Sequence, residues 1–441
     1  VSQASSTTVG REVPTEPRSK SPIYERWRWQ IFAITWLAYA GYYLTRKSFP
    51  VAKIEMSKPS GLGLDNQTMG LIDGAFLAAY AIGQFVWGVC GDRFGTRRII
   101  LIGMFGSALV AIAMGASSVV LLLIGLSAMQ GVFQSSGWAP LSKNLGCFFS
   151  QRERGSIMGL WCTNYALGGF IATIVAAYFG QLWGWRYAFY MPALALLVIW
   201  ALFFWFQRNR PEDVGLPPVE RYHQEKEAVL KPDESAAEEP EGSWKVVAKV
   251  LTNPMVLLLG GVYFFMKPAR YAILLWGPKY LNEKLGTTMT QSGAISALFE
   301  LAGPISVLAA GVVSDKLFQS RRMPVSILCL FGMSILLFAI DKLPVSMAWF
   351  GGCLFLMGLL LYAPDSLVSG TAAVDFGTKK GASTASGLVN GCGSVGAILG
   401  GTIPGFFQKT WGWDGVFTFL AASVLLAALL LLPKWNALPS R

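Results

Sequence analysis

Apolar stretches of about 20 residues alternate with short polar segments along the whole chain, the spacing expected of helices that cross a bilayer. The pattern predicts twelve such helices, near residues 28–57, 66–91, 97–116, 119–147, 155–181, 187–207, 249–283, 288–315, 323–341, 344–374, 381–409 and 413–433. A polar stretch over 208–247 divides them six and six. It carries Arg208, Arg210, Pro211, Glu212, Asp213 and an acidic run around Glu234–Glu241, and predicts a linker with room for a short surface helix. Residues 1–24 are charged, rich in Ser, Thr and Pro, and lack an apolar core, so they predict a disordered cytoplasmic tail and no cleavable signal peptide. The expected division is a tail over 1–24, a bundle over 25–207, the linker over 208–247, a second bundle over 248–435 and a short tail over 436–441.

The two halves echo each other. Gly88-Val-Cys-Gly-Asp92-Arg93-Phe-Gly95-Thr-Arg97-Arg98 closes the second helix, and Gly311-Val-Val-Ser-Asp315-Lys316 with Arg321-Arg322 closes the eighth. Trp183-Gly184-Trp185 opens the sixth helix and Trp411-Gly412-Trp413 the twelfth. Arg154-Gly155 answers Lys380-Gly381, Arg46 answers Arg270, and Tyr39 answers Tyr263. Each pair is separated by about half the chain. The expected fold is an all-α membrane protein of twelve helices in two parallel-repeat six-helix bundles, an arrangement that puts a substrate site at the midplane between them.

Composition sharpens this picture. Of the 441 residues 53% are hydrophobic and 14% charged, against roughly 25% charged in soluble domains. The net charge of +11 does not point to nucleic acid, because Lys and Arg gather in the even-numbered interhelical segments. That bias predicts cytoplasmic even loops, linker and termini. The cysteines Cys90, Cys147, Cys162, Cys329, Cys353 and Cys392 lie in or beside apolar segments without a CxxC pair, and His223 is the one histidine. Neither a disulfide framework nor a metal site is expected. No GxxxxGK[ST] loop and no nucleophile–base set are present, so neither ATP, another cofactor nor an enzyme is implied.

Two stretches carry charge where the apolar pattern continues: Tyr39-Ala-Gly-Tyr42-Tyr43-Leu-Thr-Arg46-Lys47 and Tyr263-Phe-Phe-Met-Lys267-Pro-Ala-Arg270-Tyr271. A cation within a membrane helix costs at least about 2.5–3.5 kcal/mol, and such residues face cavities and serve substrates or ions. Tyr39, Tyr42, Tyr43 and Arg46 share one helical stripe by their spacing, and Tyr263, Lys267, Arg270 and Tyr271 nearly repeat it. Two guanidinium forks suit a phosphate. The alternative is that the cations form structural ion pairs with Glu300 or Asp365. Asp73, Glu300 and Asp365 are intramembrane carboxylates, either proton carriers or ion-pair partners. Trp138 and Trp161 can stack on a sugar or simply pack, and Asn164 and Asn390 can line a cavity or join helices.

The Gly-x-x-x-Asp92-Arg93-x-Gly-x-Arg-Arg motif resembles the loop signature of the major facilitator superfamily, and its place at helix ends suits a conformational latch, repeated at Asp315. Tyr-Tyr-Leu-x-Arg46-Lys-x-Phe, Gly137-Trp138-x-Pro140, Arg152-Glu153-Arg154-Gly155, Arg210-Pro211-Glu212-Asp213-Val-Gly-Leu216 and Arg270-Tyr271 with Trp276-x-Pro278-x-Tyr280-Leu281 resemble the organophosphate:phosphate antiporters, over roughly residues 23–435. That resemblance implies phosphate binding by Arg46 and Arg270 and exchange of a phosphate ester for inorganic phosphate; the expected carrier is a monomer in a bacterial inner membrane or a eukaryotic organelle or plasma membrane. Gln84 and Tyr165 depart from the family, many of whose bacterial members carry a Lys and a His there. Both keep hydrogen-bonding groups, so they fit a different head group. A proton-coupled symporter of a sugar acid and a non-transporting phosphate-ester sensor are the alternatives.

Overall fold

In the computed structural model the described residues are 21–222, 252–319, 321–342, 344–372 and 382–437. The tail over 1–20, the acidic run, His223 and Lys379-Lys380 lie outside them. The described chain is helical and makes twelve passages. The first is Pro22–Arg46 continued by Ser48–Met56, then come Asn66–Phe94, Thr96–Ala116, Val120–Gln134 with Trp138–Phe148, Gln151–Trp161 with Thr163–Trp183, and Tyr187–Phe206. The second half holds Pro254–Leu285, Met289–Lys316, Arg322–Ala339 and Met347–Ser366, which widens into a looser turn over Leu367–Ala372. The last two passages run through Ala382–Leu431 and are separated at Gly412.

The expected segments agree with these passages, and the differences lie at local breaks. The fourth passage is interrupted at Ser135–Gly137, and the fifth begins at Gln151 because Ser150 and Glu153 form a reciprocal cap there. The Trp-Gly-Trp echo has a backbone cause. Gly184 and Gly412 both take positive φ, 96° and 64°, where a side chain would be strained.

One end of the molecule, opposite Pro22 and Leu431, is closed by packing between the halves. Phe49, Ile72, Leu77 and Ala176 share one apolar core with Leu275, Trp276, Met289 and Ala397. Here Gly70 and Gly74 on the second passage meet Thr402 and Gly405 on the eleventh, so the two backbones approach closely. A Cβ on Gly70 would stand 3.1 Å from the Thr402 carbonyl oxygen. The fifth and eighth passages meet likewise, with Gly293 against Ala177. At the other end, the core of Ile31, Ile100, Leu145, Phe148 and Phe203 stays within the first bundle. Among the described residues, the hydrogen bonds between bundles all fall from the level of Lys47 toward the closed end, among them Asn66 Nδ2 to Gln408 Oε1 at 2.6 Å and Thr290 N to Gln181 Oε1 at 2.8 Å.

Candidate substrate site between the bundles

The first passage carries Arg46 where its regular helix gives way at Lys47, whose backbone (φ −88°, ψ −7°) links the two helical pieces. Arg46 is half-buried and faces rings: its guanidinium carbon lies 4.5 Å from the Tyr43 centroid, 4.9 Å from Tyr80 and 5.9 Å from Phe76. Its Nε donates to Gln134 Oε1 at 2.7 Å, and its Nη2 is buried without a hydrogen-bond partner. Among the described residues no carboxylate lies within ion-pair distance of it.

Arg270 on the seventh passage is held differently. Nη1 donates to Asp365 Oδ2 at 2.5 Å, while Lys267 Nζ and the Tyr263 hydroxyl each reach Asp365 Oδ1 at 3.0 Å. Its guanidinium lies 4.7 Å from the Tyr362 ring and 5.5 Å from Tyr165, which belongs to the first bundle. Tyr165 and Tyr362 stack across the divide at 6.2 Å. Tyr43 lies over Arg46, and the Tyr271 ring centroid is 5.8 Å from the Lys267 ammonium. Through Tyr165, Arg270 thus faces the first bundle, the one that carries Arg46.

Asp73, Glu300 and Asp365 each hold a cation, as the ion-pair alternative expects, but Glu300 and Asp73 take lysines and not Arg46. Glu300 accepts from Lys47 Nζ at 3.0 Å, a buried pair that bridges the bundles, with the Thr173 hydroxyl 3.4 Å away. Asp73 pairs with Lys53, whose ammonium also donates to the Leu275 carbonyl at 3.0 Å and sits 3.8 Å from the Trp276 ring centroid. Of the two arginines only Arg270 takes a carboxylate partner among the described residues. Lys47, Lys53, Tyr80, Gln134 and Tyr362 were missed by sequence reasoning. Lys53 stands seven residues beyond Arg46, and that spacing was a usable signal.

The tyrosine stripe splits. Tyr43 lies over Arg46, but Tyr42 turns into its own bundle, with its hydroxyl 2.8 Å from Ser136 Oγ. Tyr39 joins Trp138 and Trp161 in a cluster whose three ring centroids are each 5.5 Å apart. Within it Trp161 is fully buried and donates to Thr35 Oγ1 at 3.2 Å, whereas Trp138 is 37% exposed. Asn164 is fully buried with neither amide atom bonded. Gln84 is half-buried and Asn390 exposed. Arg93 is exposed over the Phe94 ring, while the side chains of Asp92 and Asp315 lie outside those described. Among the described residues no cluster of His, Cys, Asp and Glu fits a metal ion.

Two six-helix halves packed over a buried site of paired and unpaired cations define a multi-pass membrane protein, and the chain belongs to the Major Facilitator Superfamily, whose sequence profile matches residues 31–364. Within it, the relatives are more specific. A probable hexose phosphate transport protein of Chlamydia pneumoniae is 32% identical over 426 residues, covering 94% of this chain and 92% of its own. The membrane sensor protein UhpC of Salmonella typhimurium is 32% identical, and the glycerol-3-phosphate transporter of Bacillus subtilis 31%, each over 94% of this chain and 93% of its own length. A solved structure of a bacterial homologue of the human lysosomal transporter Spinster, inward-facing and unoccupied, matches with a TM-score of 0.72 over 94% of this chain and 96% of that one. At 13% identity it is a likeness of fold.

Proposed function

We propose that the protein exchanges a phosphorylated organic anion, a sugar phosphate or a close analogue, for inorganic phosphate by alternating access. The observation that carries this is the charge balance between the bundles. Among the described residues, four cations, Arg46, Lys47, Lys267 and Arg270, face two carboxylates, Glu300 and Asp365, which leaves two positive charges. A phosphate group with one ester bond carries about −1.5 to −2 charges at neutral pH. One such group bridging Arg46 and Arg270 would neutralise the site and draw the bundles together. The relatives named for hexose phosphate and glycerol-3-phosphate support this class of cargo. Tyr43, Tyr271, Tyr165 and Trp138 are the remaining candidates for the carbon skeleton, with Gln84, Asn164 and Asn390 at its margin.

Exchange follows from the same balance. Closing the empty site would bury two unmatched cations, at several kcal/mol per ion. Return without an anion is therefore slow. With even loops cytoplasmic, the closed end is extracytoplasmic. Proton symport is disfavoured because Asp73, Glu300 and Asp365 each hold a cation, which protonation would leave buried and unpaired. A phosphate-ester sensor is the second reading, favoured by the likeness to UhpC.

The test is uptake of labelled phosphate into liposomes that hold the protein and are either loaded with phosphate or empty, with and without an inward proton gradient. Exchange requires rapid uptake in loaded vesicles only, whatever the gradient. Gradient-driven accumulation in empty vesicles would overturn it in favour of symport. Binding of phosphate with no flux in any vesicle would favour the sensor.

A further inference from the structure

We propose that Gln134 is a positioning residue that aims Arg46 at the anion while leaving its charge uncancelled, an inference that rests on the phosphate reading above. Gln134 is fully buried on the fourth passage, and its side-chain oxygen accepts from Arg46 Nε at 2.7 Å. Its amide nitrogen donates to Thr45 Oγ1 at 3.0 Å and lies 3.4 Å from Ser107 Oγ. Those two hydroxyls are themselves 2.9 Å apart, and Gln130 Nε2 donates to Ser107 at 2.8 Å. With its nitrogen held by hydroxyls, the amide cannot turn over without setting donor against donor at Arg46. The oxygen therefore stays on the guanidinium.

Three consequences follow for Arg46. Its plane is fixed between Gln134 and the rings of Tyr43 and Tyr80. Occupation of Nε leaves the terminal nitrogens for a ligand, and Nη2 is buried with no partner. Finally, an amide accepts a hydrogen bond without contributing a negative charge. A glutamate of nearly the same size would satisfy the same nitrogen and cancel the cation, as Asp365 does in part for the other arginine. The neutral acceptor keeps one of the two positive charges that the site offers.

The test uses the purified full chain in detergent and inorganic phosphate as probe, titrated calorimetrically at pH 7.5 and pH 5.5, beside thermal melting without ligand. Gln134→Glu should weaken binding at pH 7.5 by more than about tenfold, and Gln134→Met, which loses the acceptor without adding charge, by less. The loss in Gln134→Glu should be larger for the dianion at pH 7.5 than for the monoanion at pH 5.5, a difference that a packing defect would not produce. If Gln134→Glu fails to fold, Gln134→Met decides alone: binding within twofold of the unmodified chain overturns the proposal. Binding within twofold in Gln134→Glu overturns it equally. Arg46→Ala is the separating arm, because undiminished binding there refutes the phosphate reading itself.

Discussion

Arg46 and Arg270 stand at matching places in the two halves, each on the first helix of its bundle and each held by a residue from the fourth helix. The holders differ. In the first half it is an amide, Gln134, backed by Thr45 and Ser107. In the second it is a carboxylate, Asp365, shared with Lys267 and Tyr263. The first half thus offers a bare cation, and the second a cluster whose three charged groups, Asp365, Lys267 and Arg270, leave one positive charge to spare. Around each arginine one positive charge is left over, and the two surroundings arrive at it by different chemistry. A further pair, Lys47 with Glu300, contributes no net charge but ties the halves together beside the site.

The largest effect should come from removing either cation. Arg46→Ala or Arg270→Ala should abolish exchange in a folded, inserted protein, since losing a bidentate phosphate contact of about 3 kcal/mol or more is at least a hundredfold in affinity. Arg→Lys at either place should restore little, as an ammonium lacks the fork. Near-normal phosphate exchange by Arg270→Ala would break the comparison outright.

Asp365→Asn should come next. It strips the second half of its carboxylate and leaves Lys267 and Arg270 buried without one, a loss of about 3–5 kcal/mol in stability. Thermal melting should show this, and phosphate should stabilise the variant more than the unmodified chain because it supplies the missing charge. Glu300→Gln should cost somewhat less, about 3 kcal/mol, and most of that should vanish when Lys47→Met is added, because an apolar replacement of a buried pair is close to neutral. Additive losses in the double variant would show that the two residues do not act as a pair.

Smaller again is the joint change Gln84→Lys with Tyr165→His, which should reorder preferences among phosphate esters in competition assays. An unchanged ranking would make both positions scaffold. At the bottom of the scale, Tyr42→Phe should lower stability by about 1 kcal/mol through the lost Ser136 bond and leave phosphate affinity unchanged.

The passages and the two arginines could be read from the chain because their signals are local: an apolar run of bilayer length, and a cation inside it. The twin Trp-Gly-Trp turns were equally visible, and both glycines take the positive φ that their conformation demands. What could not be read is partner choice. Lys47 and Glu300 sit on different bundles, and nothing in the neighbourhood of either residue identifies the other. The stripe of Tyr39, Tyr42, Tyr43 and Arg46 covers a broad helical face, and periodicity does not say which edge meets the second bundle. Tyr43 lies against Arg46, and Tyr42 packs inward on Ser136. Gln134 gave no signal at all, because an amide in an apolar run has the same appearance whether it joins two helices or cradles a guanidinium.

The central claim is that two uncancelled positive charges between the bundles take up one phosphate dianion. Calorimetric titration of the purified protein with a sugar phosphate between pH 5 and 8 tests it most directly. The ester gains its second charge near pH 6, whereas the arginines stay protonated throughout. Binding should therefore tighten as pH rises through that value and level off above about pH 7, and Arg46→Ala should both weaken it and flatten the rise. Affinity that does not change with pH, or a rise that survives intact in Arg46→Ala, would contradict a site built on two free charges.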